Sequence, residues 1–362
     1  MGKHVLTWGW FGFHNLGDDL LLYTFIRNVR TKCPDISLSI AMKEQYDLDE
    51  SIVQVNRSYK TLLSAHKYDA LVIGPGGIFP ENKTIKLLVY LIIVTYWKIR
   101  HKQILFFGVG ISESMNTMHR FLWHRMVKLS GLFLPRSESV MKAIGLQETD
   151  FIHSMPDSVF AMQLPLGIKD SAEQRIGIAV ANLTGNDYDN PDYQQQIAIW
   201  SNVIASCINL GKEVDLIAFT KENDDVLIDA LGKKHEQVRC IYYSEIDSAI
   251  DQWSNYEAII AMRFHSVVLS ILSCTPFVPI AYGHKTCNLA EKVGMGKFLL
   301  RWSLKNGYFE KENNIDAKDV VDRLQQVLSE RKTVIKLLRE ASSNLKHSAD
   351  RAYDELCAYL NG

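Results

Sequence analysis

The 362-residue chain predicts an α/β protein built from two doubly wound, Rossmann-like domains. Three observations carry that prediction. Short apolar runs alternate with helix-period stretches along most of the chain, the pattern of parallel strands joined by crossover helices. Glycine-rich turns follow several of the runs. The length exceeds what one core usually fills, and a polar, Pro- and Gly-containing break, LPLGIKDSAEQR at 164–175, lies near the middle. The domains are accordingly taken as 1–165 and 170–315, with a charged helical tail at 316–362.

The elements follow in order. His4 to Trp8 reads as the first strand, and the turn GWFGFHNLGDD leads into a helix from about Leu20 to Arg30. Ser37 to Met42 is the second strand, and Ala70 to Ile73 the third, ending in Gly74-Pro75-Gly76-Gly77. An apolar helix comes next, then a strand from Gln103 to Val109, a helix over about Met118 to Lys128, and a short strand at Leu132 to Leu134. Ser137 caps a helix running to Ile144, which Gly145 closes. In the second half, Ile176 to Val180, Glu213 to Phe219, Ala258 to Met262 and Phe277 to Tyr282 read as strands. Asp192 to Leu210, Asp224 to Leu231 and Ser266 to Cys274 read as helices.

Composition excludes several function classes. An apolar fraction of 47 %, a charged fraction of 22 % and a net charge of −1 describe an ordinary folded protein without a basic field for nucleic acid. The six cysteines are scattered, which reads as unpaired thiols in a reducing compartment. The N-terminus runs straight into a strand pattern, without a signal-peptide core, so a cytoplasmic location is expected. No His-x-His, His-Glu-x-x-His or Asp-x-Asp spacing points to a metal site.

The stretch IKLLVYLIIVTYWKIRHK at 85–102 has two readings. One is a buried α/β helix. The other is an interfacial helix, too short to span a bilayer, with Tyr96 and Trp97 at headgroup level and Lys98, Arg100, His101 and Lys102 facing anionic lipid. The second reading suits an enzyme acting on a lipid-linked substrate at the inner face of the cell membrane.

Chemistry concentrates where strands meet helices. Arg263 and His265 stand two residues apart between an apolar strand and a helix. A helix start offers free N–H groups to an anion, arginine grips a carboxylate or phosphate with two prongs, and histidine moves protons near neutral pH. The plainer reading makes Arg263 an ion-pair partner and His265 a core histidine. Arg136, in LFLPRSESV, occupies an equivalent corner, where a surface cation is the alternative. In the turn after the first strand, Asn15, Gly17 and Asp18 stand near a ligand or, for Asn15 and Asp18, cap the next helix. Gly76 and Gly77 belong to a loop whose N–H groups would face an anion. Neither turn carries a Walker or dinucleotide spacing. Tyr188, Tyr193 and Trp200 are either sugar-stacking or core aromatics.

Taken together, GFHNLGDDLLL (12–22), LVIGPGGIF (71–79), FFGVGI (106–111), PRSESV (135–140), PDSVF (156–160), RFHSVVLSILSCTPFVPIAY (263–282) and Lys285 resemble the polysaccharide pyruvyl transferase family, in family order over roughly residues 5–295. Where the family usually has Arg-Asp-x-x-Ser, this chain reads Arg136-Ser137-Glu138-Ser139. Pro75 stands where the family often has glycine. The resemblance implies a fold similar to GT-B glycosyltransferases: two Rossmann-like domains facing across a cleft, with C-terminal helices packing back on the first. It implies transfer of pyruvate from phosphoenolpyruvate to two hydroxyls of a sugar in a surface-polysaccharide precursor, lipid-linked or otherwise, giving a cyclic ketal and phosphate. It also implies Arg263, Arg136 and Lys285 as cations for the donor and His265 as the proton-transfer group, with no metal or redox cofactor. Two alternatives stay open: a GT-B nucleotide-sugar glycosyltransferase, and a sugar-binding module without catalysis.

Overall fold

Runs rich in Val, Ile, Leu and Phe become central parallel strands because helices cover both faces of such a sheet. The computed structural model describes all residues except 1, 80–82, 112–114, 164–173, 186–189, 246–249, 252 and 303–314. The expected linker at 164–175 and Tyr188 therefore lie largely or wholly outside the described residues. The chain divides into two compact units. The first holds Met1–Phe13, Asp18–Met162 and Leu345–Gly362; the second holds His14–Gly17 and Gln163–Asn344.

The first unit carries a six-stranded parallel sheet: β1 (His4–Phe11), β2 (Ser37–Met42), β3 (Val53–Asn56), β4 (Ala70–Ile73), β5 (Gln103–Val109) and β6 (Leu132–Pro135). Their order is β3-β2-β1-β4-β5-β6. Its helices are α1 (Leu16–Lys32), α2 (Tyr59–Leu62), α3 (Thr84–Ile99), α4 (Thr117–Leu129) and α5 (Glu138–Ile144). The second unit repeats the plan with β7 (Arg175–Ala179), β8 (Glu213–Ile217), β9 (Arg239–Ile241), β10 (Ala258–Ala261), β11 (Phe277–Ala281) and β12 (Leu300–Arg301), in the order β12-β11-β10-β7-β8-β9. Its helices are α6 (Pro191–Asn209), α7 (Asp224–Gly232), α8 (Phe264–Leu272), α9 (His284–Lys292) and α10 (Ala317–Ser329). The last helix, α11 (Arg331–Asn361), belongs to the first unit from Leu345 onward. In each sheet the strand order reverses once, between β1 and β4 and between β10 and β7, and crevices at such switch points bind ligands.

Side-chain alternation along β5 fills both faces of the first sheet. Phe106 packs edge-on against Trp123 and Phe133, in a cluster that includes Phe79 and Tyr90. Phe107 points the other way, its ring 4.8 Å from Tyr353 of α11 and 5.9 Å from Phe25 of α1. The end of α11 is tied down further by Lys32–Asp354 (2.6 Å), His153–Glu355 (2.6 Å) and a Cys33–Cys357 disulfide with Cα atoms 5.8 Å apart. That disulfide corrects the expectation of six unpaired thiols. Among the described cysteines Cys207, Cys240, Cys274 and Cys287 are free, and burial pushes the Cys207 thiol up to about 12.

Several local expectations change. β3, β9 and β12 were not anticipated; they are short and outlying, and an edge strand needs little apolar signal. α1 starts at Leu16 rather than near Leu20, because the Asn15 side chain accepts the Gly17 N–H at 3.0 Å and opens the helix early. Trp97 is not at a surface: it is fully buried, and its indole donates to the Leu62 carbonyl at 2.6 Å. Tyr96 donates to the Leu63 carbonyl at 2.9 Å. Tyr193 and Trp200 are buried core residues of the second unit, which removes them from any sugar platform.

Candidate anion site at the strand ends

In the second unit the site is organised around a carboxylate. Asp224, the first residue of α7, is fully buried, and its two oxygens take four donors. One accepts from the Asn182 backbone N–H just beyond β7 and from an Arg263 terminal nitrogen. The other accepts from the Phe219 N–H just beyond β8 (3.1 Å) and from Arg263 Nε (2.8 Å). One side chain thus joins the ends of β7, β8 and β10. A buried charge is tolerable only when paired and hydrogen-bonded, and here both conditions are met. Arg263 is the N-cap residue of α8, beside the switch point between β7 and β10. Its guanidinium also reaches Thr220 Oγ1 at 3.4 Å. Burial alone would lower its pKa, but Asp224 and Tyr282 more than offset this and hold it above the ordinary value.

His265 follows in the first turn of α8, half-buried, with the Phe264 ring edge-on at 5.2 Å. The segment His14–Gly17 docks on the same cluster. Asn15 forms an antiparallel bridge with Thr220, Leu16 N–H donates to the Phe219 carbonyl at 2.9 Å, and Lys221 N–H donates to the His14 carbonyl at 3.2 Å. Gly17 then lies flat against the imidazole: a Cβ there would sit 2.1 Å from His265 Nδ1. Only a residue without a side chain permits that approach. The structure therefore brings Asn15, Gly17, Arg263 and His265 together. Lys285 is exposed at the second residue of α9, the helix after β11.

In the first unit a second cluster forms. Arg136, directly after β6, is mostly buried and bonds Asp157 at 2.8 Å. Asp157 in turn accepts the Val159 N–H at 3.1 Å, capping a short 3-10 turn at Ser158–Ala161. Gly110 passes so close to Arg136 that a Cβ would lie 2.7 Å from its Nη2. Gly110 N–H donates to the Gly76 carbonyl at 2.9 Å, and Gly76 N–H donates to the Gly108 carbonyl at 3.1 Å. This corrects one expectation: the Gly76 amide is bonded to the Gly108 carbonyl of β5 rather than presented to an anion. Glycine is favoured there by its φ of +114°, and the Asp18 carboxylate lies within ordinary contact, 3.6 Å from where a Cβ would be.

Three residues that matter here were not singled out from the sequence. Asp224 read only as a helix start and Asp157 only as part of a motif, since an ion pair across many residues leaves no local pattern. Arg57 follows β3, the edge strand that went unrecognised. Its guanidinium lies 4.5 Å from the Trp8 ring and 4.6 Å from Trp10, and Nε donates to the Gly9 carbonyl at 2.9 Å. Burial lowers its pKa. It lines a cavity of about 360 Å3 with Trp10, Tyr59, Lys86 and Gly77. Among the described residues no group of three or more His, Cys, Asp or Glu is placed to hold a metal ion.

The family model for polysaccharide pyruvyl transferase matches residues 15–284, a span that includes Asn15, Gly17, Arg136, Asp157, Asp224, Arg263 and His265. The chain belongs to this family. No match to a curated protein sequence is found. Among solved structures, the fold is similar to Os79 from O. sativa in complex with UDP, at 10 % identity and a TM-score of 0.60, covering 98 % of this chain and 100 % of that one. A Siraitia grosvenorii UGT transferase in complex with UDP gives 10 % identity, a TM-score of 0.59 and coverage of 99 % and 100 %. The Methanocaldococcus jannaschii UDP-GlcNAc 2-epimerase in complex with UDP-GlcNAc and UDP gives 10 % identity, 0.56, and coverage of 90 % and 92 %. At such identities the likeness speaks for the fold, and this pyruvyl transferase family member is an α/β protein of the GT-B-like class.

Proposed function

We propose that this transferase moves the pyruvyl skeleton from phosphoenolpyruvate to two hydroxyls of a sugar in a surface-polysaccharide precursor. The observation that carries the reading is His265 pressed against Gly17 beside an arginine fixed by Asp224, in a member of this family. Phosphoenolpyruvate brings a carboxylate and a phosphate; Arg263 is assigned to the donor with Lys285 as a further cation, and Arg136 is assigned as the anion-binding cation of the first unit. Because each arginine is held by a carboxylate, its direction is set before substrate arrives, which reduces the ordering cost of binding. Asn15 and Gly17 hold the loop against His265, and Asp18, Gly76 and Gly77 shape the first cluster.

The chemistry balances without an oxidant. Carbon 3 of the enol gains a proton and becomes a methyl group, leaving oxocarbenium character at carbon 2. One acceptor hydroxyl adds to carbon 2 and loses its proton, the C–O bond to phosphate breaks, and the second hydroxyl closes the ketal. Of the two protons given up by the acceptor, one is matched by the methyl group and one by phosphate. His265 is assigned to this transfer, worth about 10²–10⁴ in rate for a positioned acid or base. Arg57, Trp10 and Tyr59 are assigned to the acceptor, since aromatic faces with a polar neighbour suit a sugar ring. The acceptor is taken as a sugar, lipid-linked or otherwise, and the reaction as cytoplasmic, where burial of Cys33 and Cys357 would shield their disulfide from reductants.

The UDP-bound relatives favour one competing reading, a nucleotide-sugar glycosyltransferase. Calorimetric titration separates the two. Saturable binding of phosphoenolpyruvate, lost in Arg263→Ala and absent for UDP-sugars, is the expected result. Saturable binding of a UDP-sugar with none of phosphoenolpyruvate would replace the pyruvyl reading with the glycosyl one.

A further inference from the structure

We propose that the outer faces of α3 and α4 dock on a lipid bilayer containing anionic headgroups. The two helices pack side by side over the same core cluster, joined near their starts by a 2.8 Å bond between Thr84 Oγ1 and His119 Nε2. Their exposed residues are unusual in kind. Six are apolar: Ile85, Leu88, Ile92 and Ile99 on α3, with Met118 and Phe121 on α4, from 43 % to 77 % exposed. On α3 the spacing of three, four and seven places them in one stripe. Five others are the cations Lys86, Lys98, Arg120, Arg125 and Lys128, and the last is Thr117. None is acidic. Among the described residues these five cations have no carboxylate partner.

This combination selects the occupant. A second copy of the same face would set five uncompensated cations against five more, a like-charge cost. An uncharged apolar partner would cover the stripe and leave the cations without counter-charge. Anionic headgroups over an acyl layer satisfy both parts, with the isoleucines, methionine and phenylalanine at the headgroup–acyl boundary and the cations among the headgroups. Among the described residues no helix is long and apolar enough to cross a membrane, so the face lies on the bilayer. An interfacial 85–102 helix anchored by Tyr96 and Trp97 is a different surface, since Trp97 is buried, Tyr96 bonds the Leu63 carbonyl and half of the present face comes from α4. It stands on this surface alone and does not depend on the reaction proposed above.

Flotation of the whole protein with vesicles tests it. Binding to mixed phosphatidylcholine–phosphatidylglycerol vesicles, absent with phosphatidylcholine alone and weakened by salt, is expected. Ile92→Glu with Phe121→Glu, both at exposed positions, should lower binding by at least about tenfold with an unchanged circular dichroism spectrum. Arg125→Glu with Lys128→Glu should lower it too, in mixed vesicles. No binding to mixed vesicles, or binding undiminished in the Ile92/Phe121 variant, overturns the proposal. So does a self-association, seen by sedimentation velocity without vesicle binding, that this double variant abolishes; the face would then belong to a second copy of the chain.

Discussion

Asp224→Ala destabilises the second unit by about 3–5 kcal/mol, read as a lower urea midpoint, and abolishes donor binding. The magnitude follows from what the carboxylate holds. Its removal strands the mostly buried Arg263 without a counter-charge and leaves the Asn182 and Phe219 amides without their acceptor. The ends of three strands lose their common tie at once. Asp224→Asn keeps the shape and an acceptor but not the charge, so its loss falls between wild type and Ala. An unchanged urea midpoint in Asp224→Ala would show that the ion pair does not organise these strand ends.

Gly17→Ala lowers kcat by about 10²–10⁴, as His265→Ala does. The added Cβ would overlap the imidazole, 2.1 Å from Nδ1, and the ring must turn away from its working position. Gly17 lies in the first turn of α1 outside the left-handed region, where alanine favours the helix by about 1 kcal/mol. A loss of rate therefore reports the displaced ring rather than backbone strain. The two positions act as one unit, so the double variant should be no slower than His265→Ala alone. Full activity in Gly17→Ala would mean that the imidazole position is immaterial to the reaction.

The two-unit α/β architecture was legible because buried parallel strands announce themselves as apolar runs with helices between them. Arg263, His265 and Arg136 were legible for a related reason: each stands at the junction of a strong strand signal and a helix signal. What the sequence hid were partners and edges. Asp224 lies 39 residues from Arg263 and Asp157 lies 21 from Arg136, distances across which pairing leaves no trace in one sequence. VQVN at β3 is too short and too polar to read as a strand, and missing it concealed Arg57 at its end. The Gly17–His265 contact was invisible too, since the glycine looked like turn chemistry and its need comes from a residue far along the chain. Trp97 went the other way: its place beside a basic run suggested a membrane anchor, whereas its indole N–H bonds a backbone carbonyl inside the unit.

The most direct test of the account is phosphate release from phosphoenolpyruvate, measured with and without a panel of galactosides, glucosides and N-acetylmannosaminides, including lipid-linked forms. The expected release requires one of the acceptors, yields a pyruvate ketal on that sugar and disappears in His265→Ala. Acceptor-dependent release that persists unchanged in His265→Ala, or an enzyme that fails to bind phosphoenolpyruvate at all, would contradict it.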